Sequence, residues 1–424
     1  MEVRTVQNAA CSMNKKTTQK NIPEDWTEIR IASLGEMFAG LAGKNKEHFG
    51  KGAPFVTYMN VYSNSRINPA QYAYVHVQPE ESQNELRYGD VLFTTSSETA
   101  NEVGIASVFL EHPTTPVYLN SFCFGLRLKD HSIMSPHFAQ YFFRAQGFRD
   151  QMTLIAQGAT RYNLSKKYFL TTTLKIPMSS AEQNRIVAVL ETWDKAIEKL
   201  AKKIELKKEI KKGLMQNLLT GKIRLPRFIG SWKKIRLGDV GRVLMCKRIF
   251  KFQTLESGDI PFYKIGTFGG APDAYISDKT YTEYRQKYPF PRKGEILISA
   301  AGTVGRTVVY DGEPSYFQDS NIVWLSNDEQ LVLNSFLFYA YKVVRWSTAS
   351  GTIARLYNDL LRRIEINAPN LEEQRAISNL LDVADKEISQ LEQKLALLKD
   401  QKNYLLNNLI TGAIRTPETV STKV

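Results

Sequence analysis

The stretch AEQNRIVAVLETWDKAIEKLAKKIELKKEIKKGLMQNLLTGKIRLP, Ala181–Pro226, decides the architecture, because it occurs twice. The second copy is EEQRAISNLLDVADKEISQLEQKLALLKDQKNYLLNNLITGAIRTP, Glu372–Pro417. The two align without a gap at a constant offset of 191 residues, with 20 of 46 positions identical. Such self-similarity dictates a duplicated architecture. In the second copy Ile377, Leu381, Ala384, Ile388, Leu391, Leu395, Leu398, Leu405 and Leu409 recur in steps of three and four, with Lys402 interrupting. That is a coiled-coil seam. The first copy has Ile186, Leu190, Trp193, Ile197, Leu200, Ile204, Leu214 and Leu218 at matching places. Lys207 and Lys211 break it midway, and Leu206 and Ile210 fill neighbouring positions. Each copy opens on Glu-Gln, an acid suited to a helix N-terminus. Each closes on Thr-Gly, and glycine accepts the left-handed conformation that ends helices. Some 40 helical residues give a rod of about 60 Å.

Two globular regions precede the two rods. Residues 1–22 read as a loose tail, 23–180 as the first globule and 181–226 as a spacer helix. Residues 227–370 read as the second globule, 371–415 as a second spacer helix and 416–424 as a tail. Phe55–Tyr58, Tyr74–Val77, Val91–Phe93 and Phe122–Leu128 read as strands, and Pro136–Met152 as one amphipathic helix. Landmarks recur in order. Trp26-x-x-Ile29-Arg30 returns as Trp232-x-x-Ile235-Arg236, and Gly89-Asp90-Val91-Leu92 as Gly294-Glu295-Ile296-Leu297. Val103-Gly104 returns as Val304-Gly305, and the segment Gly158–Leu164 as Gly351–Leu360. The fold class is therefore α+β: two mixed α/β domains joined by two long antiparallel helices in a pseudo-two-fold arrangement. Length requires the antiparallel course, since the second rod's seam has no other long partner.

Composition narrows the function. A formal net charge of +13 over 424 residues favours a polyanionic partner. Three scattered cysteines suggest neither a disulfide framework nor a metal site and fit a reducing cytoplasm. No apolar run approaches the ~20 residues of a membrane span, and no signal peptide is read. A phosphate-binding G-x-x-x-x-G-K-[ST] loop is not found, and Gly302-Thr303-Val304-Gly305 only superficially resembles a dinucleotide loop. The five histidines lack metal-ligand or triad spacing. No catalytic residue, cofactor or metal is expected.

Taken together, the paired E-Q-x-x-I…D-K…N-L-[LI]-T-G-x-I-R-x-P segments, the W-x-x-I-R openings, the G-[DE]-[VI]-L turn-strands and the Gly-rich loops before each helix resemble the specificity subunit of Type I restriction-modification systems. The resemblance covers almost the whole chain. It implies that each globule is a target recognition domain reading half of a bipartite double-stranded DNA sequence, with the helices setting the unread gap. It also implies a non-catalytic subunit in the cytoplasm. Its partners would be two modification subunits that methylate adenine with S-adenosylmethionine, and restriction subunits that make an ATP-dependent endonuclease.

Three surfaces are candidates for DNA contact. The first is the loop bearing Gln157, Thr160, Arg161 and Tyr162, with Thr352, Arg355 and Tyr357 as counterparts. Arginine pairs bidentately with guanine and glutamine with adenine. The same segments also suit helix-capping turns, with Asn163 and Asn358 as caps. The second is Ser96, Ser97 and Thr99, with Ser299, Thr303 and Arg306 opposite, where small hydroxyl residues suit phosphate or base edges. A plain hairpin turn reads equally well. The third is Lys44 and Lys46, with Lys247, Arg248 and Lys251, which would contact phosphate or simply be solvated. Tyr58, Tyr62 and Phe268 fit a stacking face or the core. A self-sufficient methyltransferase or nuclease, and a scaffold presenting two protein-binding modules, remain rival readings.

Overall fold

The structure, a computed structural model, describes residues 23–346 and 356–420. The expected tail at 1–22, Cys11, Thr352 and Arg355 lie outside the described residues. The chain forms two compact units. Unit 1 combines Met1–Leu200 with Lys394–Val424, and unit 2 is Ala201–Gln393. Each therefore holds one globule and a piece of both long helices.

Unit 1 is built on an antiparallel sheet in the order Gly35–Ala39, Cys123–Leu128, Val91–Thr94, Ala106–Val108. Val91-Leu92-Phe93-Thr94 is buried along its whole length, as befits a strand covered on both faces. Alternate side chains serve two cores. Val91 and Phe93 join the main cluster with Phe124, Phe143 and Phe169, while Leu92 points the other way among Val56, Val61 and Phe109. Burying each such side chain contributes roughly 1.5–3 kcal/mol. A second sheet orders Ala73–Val75, Phe49–Val56 and Tyr118–Leu119. Trp26–Arg30 pairs with Thr173–Pro177 and ties the globule's entry to its exit, just before the long helix.

Unit 2 repeats this plan. Its main sheet runs Gly241–Leu244, Ile322–Asn327, Ile296–Ser299, Thr307–Val309, and Lys233–Arg236 pairs with Glu365–Ala368. Ile296 and Ile298 face one cluster and Leu297 the other, with Trp324.

The segment expected as one helix over 136–152 is two, Pro136–Phe142 and Gln146–Leu154. The break at Phe143–Ala145 has a physical cause. It turns Phe143 into the core against Phe93 and Phe148, and it turns Arg144 inward onto four backbone carbonyls. The expected asparagine caps are also corrected. Asn163 lies within the strand Tyr162–Leu164, and Ser165 precedes the next helix. Asn358 is the first residue of its helix, and Tyr357 sits at the cap without a side-chain bond.

The long helices are Ser180–Leu218 and Leu371–Ile410. Within unit 1 the first turns of one meet the last turns of the other. Ile186 and Leu190 share a core with Leu409 and Ile410. Within unit 2, Leu214 and Leu218 pack with Ile377 and Leu381. Both meetings are antiparallel. Trp193, Ile197, Leu200, Ile204, Ile388, Leu391, Leu395, Leu398 and Leu405 are all buried or half-buried. Leu206 and Ile210 do not replace the seam lysines; they are exposed. The lysines stay in the seam because each finds a carboxylate. Lys211 pairs with Asp385 and sits over the Tyr339 ring. Lys402 pairs with Asp194 and sits over the Tyr141 ring. The Tyr141 hydroxyl donates to Asp194 at 2.7 Å, and the Tyr339 hydroxyl lies between Asp382 at 2.6 Å and Asp385 at 2.9 Å, with one proton for the two.

A second exchange closes the ends. Arg224 forks onto buried Glu373 with two bonds of 2.6 Å, and Arg415 bonds Glu182 at 2.6 and 2.9 Å. Gly221 and Gly412 end the copies at φ +72° and +71°. A side chain on Gly412 would strike Pro23 at 2.5 Å, so glycine is required there for space as well as conformation.

Asp385→Ala is expected to cost unit 2 about 2 kcal/mol, because it strands the Lys211 ammonium, whose side chain is only 14% exposed. Adding Lys211→Met should recover most of that loss. Urea denaturation of the two single variants and the double variant closes the cycle.

Candidate nucleic-acid interface

Strand Val91–Thr94 ends in a turn fastened by its own last residue. Gly104 N donates to Thr94 O at 3.0 Å, and Thr94 N to Ile105 O at 3.0 Å. The Thr94 hydroxyl donates to Glu102 O at 3.1 Å and accepts from Ile105 N at 3.0 Å. In unit 2, Ser299 makes the same four bonds. Gly305 N donates to Ser299 O at 3.0 Å and Ser299 N to Arg306 O at 2.9 Å. Its hydroxyl donates to Thr303 O at 2.5 Å and accepts from Arg306 N at 2.8 Å. Gly104 and Gly305 supply the left-handed residue, at φ +66° and +85°. Ser299 is 1% exposed, so this candidate contact residue is a structural lock and is corrected. Thr303 and Arg306, by contrast, are exposed on the turn it holds.

Two loops expected to act together meet in unit 1. Ser96–Ser97 pairs with Tyr162–Leu164, which pairs in turn with Ala156–Gln157. The expected sites Ser96, Ser97, Gln157 and Tyr162 are thus gathered on one small sheet, with exposed Thr160 and Arg161 in its hairpin; Ser96 is itself buried and serves as an anchor, so it is corrected as a contact residue. Arg161 Nη2 donates to Ser96 Oγ at 3.2 Å, and its guanidinium lies 5.7 Å from the centre of the exposed Phe122 ring. Thr99 is exposed, with its N–H on Ser97 Oγ at 3.4 Å. Tyr62 is no ordinary core residue: its hydroxyl donates to Glu102 Oε1 at 2.7 Å, and its ring stacks on Tyr58. In unit 2 the counterpart strands would involve residues outside those described; Tyr357, beside them, is exposed. Phe268 is core, and its carbonyl accepts from Arg306 Nη1 at 2.9 Å.

The expected cations separate by their partners. Lys44 is corrected: its side chain is 3% exposed, and its ammonium bonds Glu81 at 2.5 Å and His76 O at 2.7 Å. That contact, with a bond from Gln83, pulls the Glu81 carboxyl down to about 2. Lys46 is exposed. Lys247 lies 5.0 Å from the centre of the Tyr288 ring. Arg248 donates to Asp319 at 2.8 Å, while Lys251 opens a short turn of helix. Arg248, Lys251, Lys264, Gln318 and Asn321 line a cleft of about 650 Å³. Beside it Phe250 and Phe252 stack at 5.7 Å, with Phe252 86% exposed.

Two buried arginines escaped the sequence reading. Arg144 donates to Ala106 O, Val61 O, Tyr62 O and Asn64 O at 2.5–3.0 Å. Arg149 donates to Gly104 O, Asn101 O and Val103 O at 2.6–2.8 Å. Burial pushes both guanidinium groups down to about 10. Together they clamp the short helices that carry Tyr62 and Glu102. In sequence they look like solvent charges on an amphipathic helix. Among the described residues no group of His, Cys, Asp and Glu could hold a metal, and no helix is long and apolar enough to cross a membrane.

The chain is similar to known proteins in sequence and in fold. The family model described as the Type I restriction modification DNA specificity domain matches residues 23–208 and again 230–399. A putative type I restriction enzyme specificity subunit of Haemophilus influenzae is 58% identical over 175 residues, 41% of this chain and 46% of that relative. The chain thus spans less than half of that relative's length. A putative type I restriction enzyme MjaX specificity subunit of Methanocaldococcus jannaschii is 24% identical over 95% of this chain and 96% of its own. Among solved structures, the S subunit of a type I restriction-modification system from M. genitalium has a TM-score of 0.53 at 18% identity, covering 93% of this chain and 98% of that one. A chain from a structure of type I R-M complex assembly reaches 0.60 at 18% identity, covering 93% and 100%. At those identities the structures speak for the fold.

Proposed function

The chain belongs to the Type I restriction-modification DNA specificity family, as a specificity subunit rather than an enzyme, and on that premise we propose that its two units each read one half of a bipartite double-stranded DNA target. The observation that carries this is the duplicated hydroxyl-locked turn. One backbone frame recurs in both units while the side chains mounted on it differ, which is what two readers of unlike half-sites require. Exposed cations and aromatics lie in each unit: Arg161 and Phe122 in unit 1, Arg306, Lys251 and Phe252 in unit 2.

The division of labour follows from contact chemistry. Lys46 and Lys251 supply phosphate contacts, which position the chain without reading sequence. Arg161, held by Ser96 and Phe122, offers a pre-aimed fork for guanine O6 and N7. The long helices, duplicated together with the readers, would set the length of the unread gap between the half-sites. Their outward apolar side chains, Leu206, Ile210 and Val383 in unit 2 and Leu397 and Tyr404 in unit 1, suit the docking of two modification subunits. Those partners flip and methylate adenine, and restriction subunits join the same assembly. The complex works in the cytoplasm, in keeping with the free, buried thiols of Cys123 and Cys246.

The test is methylome sequencing of cells expressing the chain with modification subunits. A two-part motif is expected, and exchanging residues 23–180 for those of another family member should change one half only. A contiguous motif, or none, would refute the reading. Arg161→Ala should relax one guanine position by roughly 1–3 kcal/mol. Lys251→Ala should weaken all sequences alike and lower the salt slope by about 1. Titrations at several salt concentrations separate the two effects.

A further inference from the structure

We infer that Glu102 is a base-reading acceptor in unit 1, accepting from the exocyclic amine of a cytosine in the major groove; this rests on the function proposed above. Sequence inspection passes over Glu102, because a carboxylate is the wrong charge for a DNA surface. That mismatch is what gives the residue its meaning. A carboxylate on a DNA-facing surface opposes approaching phosphates, so it is tolerable there only where it faces a hydrogen-bond donor.

Its setting is built to hold an ionised acceptor in place. Ser97 Oγ donates to Oε2 at 2.6 Å and Tyr62 O–H to Oε1 at 2.7 Å. These hydroxyls hold the carboxyl below its usual range. A carboxylate has about four lone-pair directions, so the bonds from Ser97, Tyr62 and Thr99 leave one for an incoming amine. Tyr62 is fixed in turn by its stacking on Tyr58 and by Arg144 on its carbonyl. The backbone of Glu102 is fixed by Thr94. Arg161 bonds Ser96 and Ser97 bonds Glu102, so a donor group suited to guanine and an acceptor suited to an amine are anchored at consecutive positions of one strand.

Cytosine is preferred over adenine for a simple reason. Both present an exocyclic amine, but adenine sets N7, an acceptor, beside it, and a carboxylate repels that edge. The same frame in unit 2 supports reading this as a specificity position. The Thr94 and Ser299 locks superimpose Glu102 on Thr303 and Ile105 on Arg306 by their bonding. Unit 2 thus replaces an anionic acceptor with a hydroxyl and adds a cationic donor on a scaffold otherwise unchanged.

The experiment uses the full chain with its modification subunits and a randomised duplex library, sequencing the bound fraction. The wild-type half-site of unit 1 should contain a cytosine that Glu102→Ala leaves unselected, a loss of roughly 10- to 100-fold at that base pair alone. Glu102→Gln should move the preference at that pair towards adenine, whose N6 and N7 suit an amide. The other half-site should not change. Tyr62→Phe, which keeps the carboxylate, should weaken binding without changing the base, and a thermal melt of each variant checks folding. A uniform loss of affinity with all base preferences intact, or no change in either, would overturn the inference and leave Glu102 as a loop staple. If the wild-type chain selects no bipartite motif, the function proposed above fails and this inference falls with it.

Discussion

Replacing Arg144 with methionine is expected to destabilise unit 1 by about 3–4 kcal/mol. Its guanidinium serves four carbonyls from two elements, Ala106 at the start of a strand and Val61, Tyr62 and Asn64 at the end of a short helix. Charge-assisted bonds contribute about 1.5–3 kcal/mol each, and acceptors left buried without a donor add to the loss, while those that regain water reduce it. Methionine fills the space but donates nothing. The expected result is an early transition in urea denaturation that Phe142→Leu, a core change, does not share in kind. Methylome sequencing should show the difference in function: Arg144→Met loses the half-site of unit 1 while that of unit 2 persists. Equal loss of both half-sites would point to general unfolding.

The second large effect is on spacing. Seven residues inserted at matching points in Ser180–Leu218 and Leu371–Ile410 add two helical turns, about 10.5 Å at 1.5 Å per residue. That is roughly 3 bp at 3.4 Å per pair. The methylated motif should keep both half-sites and lengthen its unread gap by about three pairs. An unchanged gap would refute the helices as spacers. A single-helix insertion should abolish methylation, because it separates Lys211 from Asp385 or Lys402 from Asp194.

Much of this was legible in the sequence for physical reasons. The repeat fixed the number of long helices, and the step of three and four fixed their buried face, because burial demands that periodicity. Val91–Phe93 and Ile296–Ile298 read as strands because both faces of a central strand are apolar. What stayed hidden depends on contacts distant in sequence. Lys211 and Lys402 look like defects in a seam until Asp385 and Asp194 are placed beside them. Lys44 looks like a free cation until Glu81 arrives from a separate loop. The helical period across 136–152 concealed a break because Arg144 fits the polar stripe of a continuous helix as well as it fits a carbonyl cage. Gly104 and Gly305 could be matched by eye, but the bonds that make Glu102 equivalent to Thr303 lie between side chain and backbone, where residue patterns give no signal.

The crossed pairing of the two copies also sets an order of events during synthesis. Unit 1 needs Lys402 for Asp194 and Arg415 for Glu182, yet those partners leave the ribosome only after all of unit 2. At about 5–20 residues per second the wait is on the order of 10–40 s. Throughout that interval the nascent first globule carries two carboxylates without their cationic partners and an apolar helix face without the second helix, and this is the window in which a chaperone has the most to hold.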